Sequence, residues 1–243
     1  MEKNWKGKLA VITGASSGIG REIALKLASV GINLLLLGGN RIDNLNETKK
    51  LAQNYGVKVD VIPGDLTNKD WLTTSIQTIN SKYLVDILIN NAGVAQNCEF
   101  SKVTEEEYDK IMNINVKAPY FITQGLLENI RKSNYSTIIN ISSIVGHLGY
   151  PMQSVYSASK HALLGFTKSL ANEEYKNGVR VHAICPGGVY TDMLKLSRPD
   201  LTADGMTLPE DIAEIVWFFL YMRGNAVVDE IIVHRASKEP FLV

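Results

Sequence analysis

The sequence has little of what marks secreted, membrane or nucleic-acid-binding proteins. It holds two cysteines, Cys98 and Cys185, far apart and without a redox or metal-ligand spacing. A disulfide framework is therefore excluded and no metal is expected; the two thiols read as a loop residue and a small buried residue. Neither sign of charge is in excess, since 25 Lys and Arg stand against 25 Asp and Glu with no like-charge block. Nucleic acid and anionic membrane surfaces are thus not expected partners. The longest aliphatic run, LLLL at 34–37, is far too short to span a bilayer. The charged start MEKNWKGK, followed by only a short apolar stretch, lacks the form of a secretory leader, so a cytoplasmic location is expected. No low-complexity linker or shift in composition divides the chain, and one domain over residues 1–243 is expected.

What the chain does have is alternation. Short β-branched or aliphatic runs read as strands at 9–13, 33–37, 57–62, 86–90, 137–141, 180–185 and 230–234. Amphipathic patterns between them read as helices at 18–29, 43–55, 68–81, 104–132, 153–177 and 209–222. Thr104 with Glu107 forms a capping box, and Pro209 beside Glu210 and Asp211 suits a first helical turn. Repeated strand–helix–strand units predict an α/β doubly wound parallel sheet of about seven strands with helices on both faces. Ligands of such a sheet bind at the carboxyl ends of its strands.

Two local patterns carry chemistry. TGASSGIG at 13–20 follows the first strand and opens the first helix. Gly14, Gly18 and Gly20 let the backbone turn tightly and approach a pyrophosphate, whose charge the helix N-terminus favours. The spacing is G-x-x-x-G-x-G, not G-x-G-x-x-G, and a glycine loop alone is also a plain turn; the strand before it and the helix after it point to a nucleotide. In YSASK at 156–160, Tyr156 and Lys160 lie four apart and leave one helix face together. A phenol is a poor proton donor or acceptor at neutrality unless a nearby cation stabilises its phenolate, and Lys160 offers that cation. The same spacing also arises on exposed helices with no catalytic role, so context decides.

That context is a set of further motifs in one order: GDL at 64–66, NNAG at 90–93, NINV at 113–116, ISS at 141–143 and CPGGVYT at 185–191. Together they resemble the short-chain dehydrogenase/reductase family over nearly the whole chain. The resemblance implies a Rossmann-type domain and an oxidoreductase moving a hydride between a nicotinamide and a carbonyl or secondary alcohol, of ketone or 3-oxo/3-hydroxy acid type. It implies Tyr156 as general acid in reduction and general base in oxidation. Lys160 would lower the tyrosine's pKa and hold the nicotinamide ribose. Ser143 would hydrogen-bond the substrate oxygen, its neighbour Ser142 facing the other way if strand alternation continues. Asn115 matches the family asparagine that holds a water in a relay to the lysine, or else it bonds helix backbone. The implied cofactor cradle comprises Gly14, Ser16, Ser17, Gly18, Ile19 and Gly20, with Asp65 and Leu66 at the adenine. Asn91, Ala92 and Gly93 would line the adenosine side, and Pro186, Gly187, Val189 and Thr191 would hold the carboxamide. Asp65 reads equally as a turn aspartate or a helix cap near Thr67. His147 reads as a pocket-wall or exposed residue, and His161 should point elsewhere on its helix.

Cofactor choice turns on GGNR at 38–41. NAD sites place an acid there for the ribose hydroxyls, whereas this chain has Gly38 and Gly39 followed by Asn40 and Arg41, with Asp43 too late in the sequence. NADP is therefore expected over NAD, its 2′-phosphate held by Arg41 or Asn40. A substrate lid is expected at about 192–208, carrying Lys195, Arg198, Asp200 and Asp204. Many 3-oxoacyl-carrier-protein reductases of the family carry arginines where this chain has Asn134 and Asn177, although Arg131, Lys132 and Lys176 lie close; that substrate remains an alternative. A non-catalytic nucleotide sensor or scaffold is the alternative of another class, disfavoured by the presence of Ser143, Tyr156 and Lys160 together. The segments 104–132 and 153–177 are expected to join subunits into a homotetramer, or a dimer.

Overall fold

The computed structural model describes residues 4–197 and 202–238. Seven strands form one sheet: β1 (Leu9–Thr13), β2 (Asn33–Leu37), β3 (Val59–Ile62), β4 (Ile87–Asn90), β5 (Thr137–Ile141), β6 (Arg180–Pro186) and β7 (Glu230–Val233). Their order is β3-β2-β1-β4-β5-β6-β7. Every neighbouring pair is parallel, with Val11 between Leu35 and Leu88 in the register of the central strands. The helices are α1 (Gly18–Ser29), α2 (Ile42–Gln53), α3 (Lys69–Lys82), α4 (Glu105–Met112), α5 (Ala118–Ile130), α6 (Ser154–Glu174), α7 (Asp192–Ser197) and α8 (Pro209–Tyr221). Among the described residues no helix is long and apolar enough to cross a membrane.

Alternate strand residues serve opposite faces, as a period of two requires. Ala10, Ile12, Leu34 and Leu36 pack in one core with Ile23 and Leu27 of α1 and Val216 of α8. Val11, Leu35, Leu37 and Leu88 pack in the other with Leu72 of α3 and Ile122 and Leu126 of α5. Both faces are thus covered, which is why the strands read as continuous apolar runs and not as alternating ones. The edge strands β3 and β7 are less buried than the centre.

Local signals set the helix ends. Thr104 Oγ1 accepts from the Glu107 N–H at 3.2 Å, and Asn68 Oδ1 accepts from the Trp71 N–H at 3.0 Å. At α8 the Asp211 carboxylate accepts from the Leu208 N–H at 2.8 Å, with Pro209 in the first turn. The expected single helix at 104–132 is interrupted: a five-residue π turn, Asn113–Lys117, joins α4 to α5. The expected helix at 153–177 is α6 plus a 3₁₀ turn, ended by Gly178 at φ 77. Within the expected lid the structure forms α7, while Arg198 and Asp200 lie outside the described residues.

After β3 the chain returns to the other side of β1 to form β4. The connections leaving β1 and β4 therefore diverge and open a crevice at the carboxyl ends of the sheet.

Candidate active site

Gly14 takes φ 70 and Gly18 φ 53, in the left-handed region that side chains avoid. A Cβ on Gly14 would stand 2.8 Å from Ala92 Cα, and one on Gly20 would overlap Asn91 Nδ2 and the Gly14 carbonyl. Asn91 clasps this loop: its Nδ2 donates to the carbonyls of Thr13 (3.1 Å) and Gly14 (3.2 Å). Thr13 Oγ1 accepts in turn from the N–H groups of Asn91 and Ala92, each at 3.0 Å. The segments after β1 and β4 are thereby locked together. Ser17, at the N-cap of α1, makes no side-chain bond to the first turn. Its hydroxyl accepts from Arg41 Nη2 at 3.0 Å instead. A helix end with no side-chain cap, no acid in its first turn and a glycine-lined approach suits a phosphate. The residues therefore fit a dinucleotide.

The adenosine end of this cradle lies beyond β2 and β3. Gly38 has φ 81, and a Cβ there would stand 2.7 Å from Leu66 Cδ2, so Leu66 lies directly over it. Asn40 and Arg41 are exposed, and only Arg41 reaches back to the glycine loop. Asp43 lies in the first turn of α2. Asp65 Oδ1 accepts from the N–H and the hydroxyl of Thr67, both at 2.8 Å, so it is a turn aspartate, while the cap of α3 is Asn68.

Asn115 is buried in the π turn and does not bond its own helix. It bridges two other segments: Nδ2 donates to the Val94 carbonyl at 2.9 Å and to Ser159 Oγ at 3.0 Å, and Oδ1 accepts from the Val94 N–H at 2.8 Å. The extra residue of a π turn shifts the register of the faces around it, the usual use of this motif at functional sites. Gly93 keeps a space open nearby, since a Cβ there would be 3.3 Å from Asn115 Oδ1 and 3.6 Å from Lys160 Nζ.

Tyr156 and Lys160 leave α6 on the side facing the ends of β5 and β6. Lys160 is 4% exposed; its ammonium donates to the Ile141 carbonyl at 3.0 Å and lies 5.7 Å from the centre of the Tyr156 ring. Burial pushes Lys160 down to about 8, with a smaller opposing pull from Cys185. Burial pushes the Tyr156 phenol up, against the opposing hydrogen bond of Ser143. Desolvation outweighs the Ser143 contact in the net direction of the phenol's shift. Ser143 Oγ donates to the Pro186 carbonyl and accepts from the Val145 N–H, both at 3.3 Å. Ser142 turns the other way, its hydroxyl donating to the Lys160 carbonyl at 3.3 Å. Of the two serines, Ser143 is the one that opposes the upward shift of the phenol.

A cavity of about 480 Å³ opens in front of this group. Ile19, Pro186, Gly187, Val189 and Thr191 line it together with Ser143 and Tyr156. Thr191 also touches the glycine loop, its Cγ2 lying 3.2 Å from where a Gly18 Cβ would be. His147 is not part of the wall: its Nε2 pairs with the Glu230 carboxylate, which also accepts from the Cys185 thiol at 3.0 Å. These three side chains bring metal-type donor atoms within 4.8 Å of one another, already joined by hydrogen bonds. His161 Nδ1 bonds the Ser157 carbonyl of its own helix at 2.9 Å.

The sequence reading missed the far wall of the cavity, which includes Tyr150, Met152, Met193, Met206, His234, Arg235 and Lys238. One signal was present. A final strand parallel to the others must end on the ligand side of the sheet, so the HRASK stretch after β7 belongs on the rim.

Residues 8–202 match the family model described as short chain dehydrogenase. Over 96% of the chain and 97% of the relative, the sequence is 32% identical to the 3-oxoacyl-[acyl-carrier-protein] reductase FabG of Aquifex aeolicus. A solved structure of a putative NAD(P)-dependent gluconate 5-dehydrogenase from Beutenbergia cavernae, with bound NADP, is 27% identical with a TM-score of 0.86, covering 94% of each chain. A variant of the actinorhodin polyketide ketoreductase, with NADPH, is 26% identical with a TM-score of 0.84, covering 93% of this chain and 95% of its own. The chain belongs to the short-chain dehydrogenase/reductase family, which uses NAD(P) on small carbonyl or alcohol substrates, and is an oxidoreductase acting on CH–OH groups.

Proposed function

We propose that the protein is an NADP(H)-dependent reductase or dehydrogenase of small ketone or 3-oxo/3-hydroxy acid substrates, with Tyr156 as its acid-base group. The observation that carries this reading is that Ser143 and Tyr156 line one cavity, with the Lys160 ammonium buried 5.7 Å from the centre of the Tyr156 ring. A bound nicotinamide supplies or accepts the hydride. The chain's own work is to place the substrate oxygen and to move one proton. Ser143 Oγ and Tyr156 Oη hold that oxygen, and Tyr156 gives its proton in reduction and takes one in oxidation. Lys160, raised in energy by its burial, offers its charge to the phenolate as it forms. Asn115, tied to Val94 and Ser159, keeps the space beside Lys160 open for a water through which that proton is replaced.

Cofactor choice rests on Arg41. Its guanidinium stands beside Ser17 at the glycine loop, no carboxylate stands at 38–40, and the first turn of α2 brings Asp43 only further along. A 2′-phosphate meets a cation there and no repelling acid, which favours NADP(H) over NAD(H). The NADP and NADPH of the two structural relatives support the same choice.

The FabG relatives favour a second substrate reading, a 3-oxoacyl group on a carrier protein. Of the basic residues near those places, Arg131 is already held by Glu128 and by Glu174, itself 3% exposed. Asn177 completes that cluster, donating to Glu174 Oε2 at 3.0 Å. A committed arginine is a poor docking charge, which weighs against the carrier-bound reading, while the exposed Lys132 and Lys176 keep it as the second reading. For assembly, Tyr108 of α4 and Tyr120 and Phe121 of α5 are exposed within the 104–132 segment. Exposed aromatic side chains there support a homotetramer, or a dimer, through that segment. The test is anaerobic mixing of the purified protein with NADPH or NADH and a panel of ketones and 3-oxoacyl thioesters, followed at the nicotinamide absorbance. Oxidation of NADPH by a member of the panel is expected; binding without oxidation across the panel would point to a sensor or scaffold.

A further inference from the structure

The cavity has an uneven charge. Its described walls contain His234, Arg235 and Lys238 and no aspartate or glutamate. All three come from the segment past β7, which packs against Gly187 and Gly188. Arg235 lies across Gly188, where a Cβ would be 3.5 Å from its Cδ and 3.8 Å from its Nε. Among the described residues its guanidinium makes one side-chain hydrogen bond, from Nη1 to the thioether of Met206 at 3.2 Å. Among the described residues no carboxylate pairs with it. His234 Nδ1 is buried beside it without a partner among those residues. A guanidinium is always charged, and a half-buried one facing a thioether is poorly compensated until an anion arrives.

We infer that the substrate carries a carboxylate at the end remote from its reacting carbonyl, and that Arg235 reads it, with Lys238 and His234 as flanking donors. The inference rests on the assignment of Ser143 and Tyr156 to the reacting end. The planar fork of arginine matches two carboxylate oxygens at once. Gly188, under Arg235, is two residues beyond Pro186, whose carbonyl accepts the Ser143 hydroxyl, so the cation and the reacting end share one cavity. The substrate class is an oxo acid or the corresponding hydroxy acid.

The test compares wild type, Arg235→Met and Arg235→Lys on a series of oxo acids of increasing chain length, their methyl esters, and a keto phosphate. Methionine keeps most of the stem volume over Gly188 and removes the charge. Wild type should favour each acid over its ester by roughly 10- to 100-fold in kcat/KM, mostly through KM. Arg235→Met should erase that preference, Arg235→Lys should restore part of it, and NADPH affinity should stay within about twofold in all three. Equal use of acid and ester by wild type would overturn the inference, as would a loss of NADPH affinity in Arg235→Met as large as the loss for the acid. A keto phosphate favoured over every oxo acid would replace carboxylate by phosphate and overturn the class. Calorimetric titration of the oxo acids into the NADP-loaded protein separates the two assignments. Arg235-dependent binding of the acid without turnover would leave the carboxylate site standing and remove the dehydrogenase chemistry; neither binding nor turnover would remove the site.

Discussion

Replacing Lys160 by methionine should make the protein more stable at neutral pH while abolishing its activity. Lys160 is 4% exposed and, among the described residues, its ammonium makes one hydrogen bond, to the Ile141 carbonyl. Burial depresses its pKa from 10.5 to about 8. Below that pH the lysine is charged in both the folded and the unfolded chain, and the folded state bears the cost of desolvating it. Between there and 10.5 the folded chain has released a proton that the unfolded chain still holds, so stability rises with pH across this window. The gap corresponds to about 3 kcal/mol near pH 7. Methionine removes that cost, at the loss of one hydrogen bond of about 1 kcal/mol. Lys160→Met should therefore be about 2 kcal/mol more stable near pH 7, an advantage that shrinks by about 2 kcal/mol by pH ~9.5. Urea unfolding at one protein concentration, extrapolated linearly at both pH values, measures the difference. A variant less stable than wild type near pH 7, or an advantage independent of pH, would refute the reasoning that the buried charge is held at a cost.

Other consequences follow from the cradle and the surface. Arg41→Ala should weaken NADPH by roughly 10- to 100-fold and leave NADH nearly unchanged, read by titrating both cofactors; an equal loss for both would remove Arg41 from the phosphate site. Phe121→Lys, which charges an exposed apolar position on α5, should lower the assembly state by light scattering while the circular dichroism is kept. A wild-type protein already monomeric at micromolar concentration would show that this face has no partner copy.

Much of the sheet was legible because its strands are buried on both faces and read as unbroken aliphatic runs: 9–13, 33–37 and 137–141 coincide with β1, β2 and β5. The glycine loop was legible because Gly14, Gly18 and Gly20 each answer a local backbone demand. The π turn at Asn113–Lys117 was not, because its NINVK sequence fits an ordinary helical period and the deviation comes from the bridge that Asn115 makes to Val94 and Ser159. The same holds for His147, whose partner Glu230 is 83 residues away. Family motifs pointed to the phenol and the ammonium but not to how deeply the fold buries them, which depends on tertiary packing. The basic wall from His234 to Lys238 was hidden for a related reason: only the parallel pairing of β7 brings it to the rim.

The account depends on Tyr156 as the proton donor to the substrate oxygen. The most direct measurement is kcat for Tyr156→Phe on a substrate turned over by wild type, together with the Kd of NADPH. The variant should bind NADPH as tightly as wild type and lose about 10² to 10⁴ in kcat, because only the acid is removed and the packing of the ring remains. Turnover within a few-fold of wild type would contradict the assignment.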